Sequence, residues 1–143
     1  MDRRHFIAAT LCAAGALTLT GRTARAAMID YSEAEDQIDV ALAEGKTVFV
    51  DYGASWCSTC AAQQRVIDAL MAENSAYAEN IIFVKVDWDQ YGEAPVTTSR
   101  NIPRRSTLIV LKGEEELGRI VAGTGEDEIK ALMDTALAAA SGA

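Results

Sequence analysis

Cys57 and Cys60 are separated by two residues in the run Trp56-Cys57-Ser58-Thr59-Cys60, and this spacing supports three kinds of chemistry. Such a pair can give two thiolates to a structural zinc, but the metal then needs two further ligands, usually Cys or His. It can close as a structural disulfide, although so small a loop constrains the unfolded chain little. It can also be a redox pair, in which one cysteine attacks a partner disulfide and the other resolves the mixed disulfide. The 143-residue chain holds three cysteines and one histidine, so the surroundings of the pair decide among these readings.

The third cysteine and the histidine, Cys12 and His5, fall in a segment that does not read as part of a fold. It opens on Asp2-Arg3-Arg4-His5-Phe6-Ile7, continues as an apolar run over residues 8–19, and reaches Ala24-Arg25-Ala26, the small-x-small form of a cleavage site. Residues 1–26 therefore read as a cleavable signal peptide, and 27–143 as one domain. The paired arginines before Phe6-Ile7 resemble the twin-arginine export signal. A general secretory signal that happens to carry two arginines is the alternative. A lipoprotein signal at Cys12 is disfavoured, because Leu11 stands where a small residue is needed. The expected destination is the periplasm.

Cleavage removes Arg3, Arg4, Arg22, Arg25 and Asp2, taking the net charge from −8 to about −11. An acidic domain repels nucleic acid and anionic lipid, so neither is an expected partner. No apolar run reaches the roughly 18–20 residues of a membrane span, so stable insertion after cleavage is not expected either. The domain keeps two cysteines and no histidine. A zinc site would then need carboxylates to complete it.

The elements around the pair favour redox chemistry. Residues 28–31 are a short strand or a lead-in, and Ser32-x-x-Glu35 has the form of a capping box opening a helix to about residue 43. Thr47-Val48-Phe49-Val50-Asp51-Tyr52 is β-branched and aromatic enough for a buried central strand. The cysteines follow it directly and open a helix over residues 57–73, with Val66, Ile67, Leu70 and Met71 facing inward. Cys57 then sits at a helix N-terminus, where unpaired N–H groups and the macrodipole favour a thiolate. Cys60 lies one turn on, on the same side. Strands are also predicted over residues 81–87, 107–112 and 117–121, with a short helix near 96–100, a hairpin at Gly113 and a last helix capped by Thr124. That order gives an α/β fold: a mixed sheet with helices on both faces.

The run Val50-Asp51-Tyr52-Gly53-Ala54-Ser55-Trp56-Cys57-Ser58-Thr59-Cys60 resembles the thioredoxin signature of strand, aspartate, small linker, tryptophan and C-x-x-C. The element order over residues 27–140 is similar too, which implies a thioredoxin-like sheet of four to five strands. The resemblance implies that Cys57 is the nucleophile and Cys60 the resolving cysteine. It implies that Asp51 lies buried beneath them and moves protons, with Lys85 beside it, and that Trp56 shields the rim of the site. No cofactor is implied.

Three departures qualify the resemblance. Where the family has a cis-proline before the strand-opening threonine, Ser106 precedes Thr107, and Pro103 lies three residues back. Either Ser106 takes that position in a trans peptide or a local insertion brings Pro103 in. Ser58-Thr59 replaces the common Gly-Pro, and Gly53 stands where a tryptophan is frequent, opening the pocket. Arg105, Ser106 and Thr107 are expected to meet substrate beside Trp56, with Arg104 and Arg105 in a loop facing Cys57. The function expected is an exported thiol–disulfide oxidoreductase that reduces disulfides in periplasmic proteins, recharged by a membrane thiol reductase. A metal or iron–sulfur carrier or assembly chaperone using the same cysteines and a disulfide-donating oxidase are the alternatives.

Overall fold

The computed structural model describes residues 28–142, so the expectation of a signal over residues 1–26 lies outside the described residues. The chain runs β1 (Ile29–Asp30), α1 (Gln37–Ala43), β2 (Thr47–Gly53), α2 (Ser58–Glu73), α3 (Ser75–Asn80) and β3 (Ile81–Asp87). It continues through α4 (Trp88–Tyr91), α5 (Pro95–Thr98), β4 (Thr107–Lys112), β5 (Glu115–Val121) and α6 (Glu126–Ala140). The five strands form one sheet in the order β1-β3-β2-β4-β5. β1, β3 and β2 are parallel, β4 pairs antiparallel with β2, and β5 returns antiparallel through the hairpin.

β2 is buried along its whole length, with β3 on one edge and β4 on the other. Alternation along the strands then sorts the side chains into two cores. Phe49, Phe83, Leu108 and Val110 meet Ile67 and Leu70 of α2, Tyr77 of α3, and Ile129, Leu132 and Met133 of α6. Val48, Val50, Tyr52, Val84, Val86 and Ile109 meet Ile38 of α1 and the α4–α5 segment on the opposite face. Helices therefore cover both faces. Asp51 is two residues after Phe49 and Lys85 two after Phe83, so both point to the face that carries α2.

Some local expectations differ from the structure, each for a tertiary reason. The capping box at Ser32 does not form: its carbonyl closes a turn with the N–H groups of Glu35 and Asp36. Gln37 folds back instead, its Oε1 accepting from Ser32 N–H at 2.9 Å, and α1 starts at Asp36, which caps Asp39 N–H. No element is expected from the sequence between residues 73 and 81, yet α3 forms there. Asn74 in fact serves two helices, donating its N–H to Leu70 O of α2 and accepting from Ala76 N–H of α3. The helix expected near residues 96–100 begins at Pro95, and a further turn forms at Trp88 under an Asp87 cap. Thr124 does not cap α6, whose N-cap is Gly125 without a side-chain bond; Glu126, Asp127 and Glu128 complement its dipole instead.

Ile67 is fully buried at the centre of the α2 contact with the sheet. Ile67→Ala should destabilise the fold by about 2–5 kcal/mol through lost burial and a residual cavity. Urea denaturation should show this as a lower midpoint at an unchanged slope.

Candidate active site

Cys57 is the N-cap of α2, in an extended conformation (φ −88°, ψ 114°) that turns its sulfur back over the first turn. Its Sγ accepts from the Cys60 backbone N–H at 3.2 Å. The helix thus points an unpaired donor of its first turn at the sulfur, the arrangement that favours a thiolate. Both cysteines are buried, against Ala54 and Trp88, and are unbridged in this structure.

The loop before β4 brings Ser106 into the site. No peptide bond among the described residues is cis, and Ser106 is a trans residue with φ 63°, in the left-handed region. Its N–H donates to Tyr52 O at 2.7 Å, and its carbonyl accepts from Ala122 N–H at 2.8 Å. That backbone turns the hydroxyl onto the cysteines: Ser106 Oγ lies 3.2 Å from Cys57 Sγ and 3.0 Å from Cys60 Sγ. Ser106, not Pro103, therefore faces the pair, and both Ser106 and Thr107 are fully buried. Thr107 Oγ1 donates to Arg104 O at 2.8 Å, which holds the loop. Ser106 thus meets the two sulfurs, and Thr107 shapes the loop.

The two thiols are driven apart. Burial pushes Cys57 up, but hydrogen bonds from the Cys60 thiol, Ser106, the Cys60 N–H and Arg105 outweigh it and bring the thiol down to about 6. Burial and the neighbouring Cys57 push Cys60 up, with Ser106 opposing. At neutral pH one buried sulfur is therefore mostly a thiolate and the other a thiol.

Beneath them lies Asp51, paired across the strands with Lys85. Its Oδ1 is buried without a hydrogen-bond partner. Desolvation raises its pKa to about 6 against the opposing pull of Lys85. Gly53 separates these groups: a Cβ there would sit 3.3 Å from Asp51 Oδ1 and 3.7 Å from both Cys60 Cβ and Lys85 Cε. A cleft of about 370 Å³ opens beside Gly53, between Lys85, Ser55 and Tyr91.

At the rim, Trp56 is 59% exposed, so it does not pack in the core. Its indole N–H donates to Asp89 Oδ2 at 2.8 Å, and the Arg105 guanidinium stacks 4.5 Å from its ring centre. Of the two loop arginines only Arg105 bears on Cys57; Arg104 is exposed and donates to Arg105 O. Sequence reasoning missed Gln63, which is fully buried. Its Nε2 donates to Ser106 O at 3.0 Å and Gly123 O at 2.8 Å, so α2 itself holds the Ser106 loop. The signal was its spacing: Gln63 lies three residues after Cys60 and four before Ile67, on the buried stripe of the helix.

Three comparisons bear on this site. A family model described as thioredoxin-like matches residues 28–110. Thioredoxin H2-1 of rice (Oryza sativa subsp. japonica) is 31% identical over 90 residues, covering 63% of this chain and 60% of that protein. Thioredoxin of Echinococcus granulosus is 33% identical over 98 residues, covering 68% of this chain and 85% of its own. The crystal structure of Trxlp from Edwardsiella tarda superposes with a TM-score of 0.62 at 28% identity, over 74% of this chain and 98% of that one. The chain belongs to the thioredoxin-like family. That places it among the thiol–disulfide oxidoreductases that work through a cysteine pair, here Cys57 and Cys60.

Because folding raises the Asp51 pKa, the ionised carboxylate is the form that folding disfavours. This group stabilises the fold most below about pH 4 and loses that contribution as pH rises through about 6. Asp51→Asn should therefore raise the unfolding free energy by about 2–3 kcal/mol at pH 8 and by almost nothing at pH 4. Denaturant titrations at the two pH values check this; an equal effect at both would contradict it.

Proposed function

We propose that this chain is an exported reductant of protein disulfides. The observation that carries the reading is the asymmetry of the pair: Cys57 is held as a thiolate at the start of α2 while Cys60 stays protonated behind it. The Cys57 thiolate attacks one sulfur of a substrate disulfide, forming a mixed disulfide and releasing the first substrate thiolate. Cys60 then loses its proton toward Asp51, with Lys85 steadying the carboxylate. The Cys60 thiolate attacks Cys57 Sγ and releases the second substrate thiolate. The protein ends as the Cys57–Cys60 disulfide, and the substrate has gained two electrons. A membrane thiol reductase is the proposed donor that restores the dithiol, since the periplasm is oxidising. Arg105 and Trp56 form the rim that a substrate meets, and a basic group on so acidic a domain suits substrates with acidic residues beside the disulfide.

One observation favours a second direction. A thiolate held well below the ordinary thiol range stabilises the reduced form, which shifts the pair toward disulfide donation. Equilibration with glutathione separates the two. A potential near about −270 mV supports the reductant, and one near about −120 mV overturns it in favour of the oxidase.

The wild type should reduce insulin with a dithiol donor, Cys57→Ser should lose that activity altogether, and Cys60→Ala should accumulate substrates as mixed disulfides. Retention of activity by Cys57→Ser would sink the mechanism. For export, replacing Arg3 and Arg4 by lysine should leave a full-length precursor in the cytoplasm, while the unaltered chain is recovered from the periplasm starting near residue 27. Export of the double variant at the normal rate would exclude the twin-arginine route.

A further inference from the structure

Ser106 Oγ lies within hydrogen-bond distance of both sulfurs, at 3.2 Å from Cys57 and 3.0 Å from Cys60. The geometry is imposed at a cost. A serine in the left-handed region is strained where glycine would not be. Three backbone or side-chain bonds over-determine it: Ser106 N–H to Tyr52 O, and Ala122 N–H and Gln63 Nε2 to Ser106 O. Strain that is held this firmly at a reactive centre points to a function for the side chain.

A hydroxyl carries one proton and two acceptor lone pairs, and the proton turns about the C–O bond without moving any heavy atom. We propose that the Ser106 hydroxyl is a shared donor that serves the two sulfurs in turn, holding the Cys57 thiolate before attack and the Cys60 thiolate during resolution. In the resting dithiol the only anionic sulfur is Cys57, so the proton points there. Once Cys57 is joined to substrate, its sulfur is neutral and a weak acceptor. The hydroxyl then turns to Cys60 and stabilises the thiolate left as the Cys60 proton departs toward Asp51. That thiolate attacks Cys57 Sγ, the Cys57–substrate bond breaks, and the substrate sulfur leaves with the electron pair. The hydroxyl keeps its own proton throughout and is neither oxidised nor reduced.

The assignment rests on the oxidoreductase reading of the pair and adds a catalytic residue to it. The charged group that bears on Cys57 is Arg105 on the same loop, and Asp51 and Lys85 approach Cys60 around Gly53 from the sheet beneath; the variants alter none of the three. The test uses Ser106→Gly, which suits the positive φ and lacks the hydroxyl, alongside Ser106→Ala. Two quantities are read on each: titration of the Cys57 thiolate by ultraviolet absorbance, and the rate at which a glutathione mixed disulfide preformed on Cys57 releases glutathione. Melting curves report folding, and the glycine variant carries the test if alanine fails to fold. Loss of the hydroxyl should raise the Cys57 pKa by about one unit and slow release about tenfold, the scale of a lost hydrogen bond to an anion. Wild-type titration and wild-type release would overturn the proposal. A change in only one of them makes Ser106 a donor to one sulfur and overturns the shared role. A wild type that never releases glutathione overturns the oxidoreductase reading itself, independently of the variants.

Discussion

β2 is closed on every side: two sheet neighbours take its backbone groups, and two helical layers take its side chains. A strand so confined cannot shift register, because a one-residue slip would exchange Phe49 and Asp51 with Val50 and Tyr52 between the two cores. Its end is therefore a fixed point from which the chain must turn. The short link through Ala54, Ser55 and Trp56 delivers Cys57 to the start of α2. Ile67 and Leu70 then fix the rotation of that helix and so the direction of both sulfurs. The same strand supplies Tyr52 O, the anchor of the Ser106 loop. Nucleophile, resolving thiol and facing hydroxyl are all referred to one rigid element.

The charge distribution follows from this frame. Donors converge on Cys57 from the helix, the loop and the neighbouring thiol, whereas Cys60 has burial against it and an anion beside it. Two chemically identical side chains acquire different protonation through position alone. Asp51 gains its elevated pKa the same way, by desolvation on a strand face it cannot leave, with Lys85 too weak an opponent to restore an ordinary carboxylate.

Sequence patterning revealed the parts of the structure that obey local rules. The apolar runs at β2, β3 and β4 and the last helix correspond to observed elements. The placement of the cysteines after a strand and at the start of a helix was legible for the same reason. What escaped was decided by contacts between distant segments. Gln63 is polar, and only the loops that it bridges explain why it is buried. Ser32 had the form of a cap, yet the turn to Asp36 took its carbonyl first. Ser106 could be placed opposite the pair from its position before Thr107, but its left-handed backbone comes from Tyr52, Gln63 and Ala122, none of them its chain neighbours.

The left-handed serine also bears on how such a domain responds to selection for heat resistance. Stabilising substitutions are easy to find, and some of them cost activity where a strained site is relaxed. Glycine at a positive φ removes the steric penalty there, set against the greater freedom it gives the unfolded chain. A library screened only for persistence of the fold would thus be drawn to this position. It would return proteins that are sturdier and still rich in thiol, but differently tempered in their chemistry. The backbone angle that strains Ser106 is also the one that aims its hydroxyl at the two sulfurs.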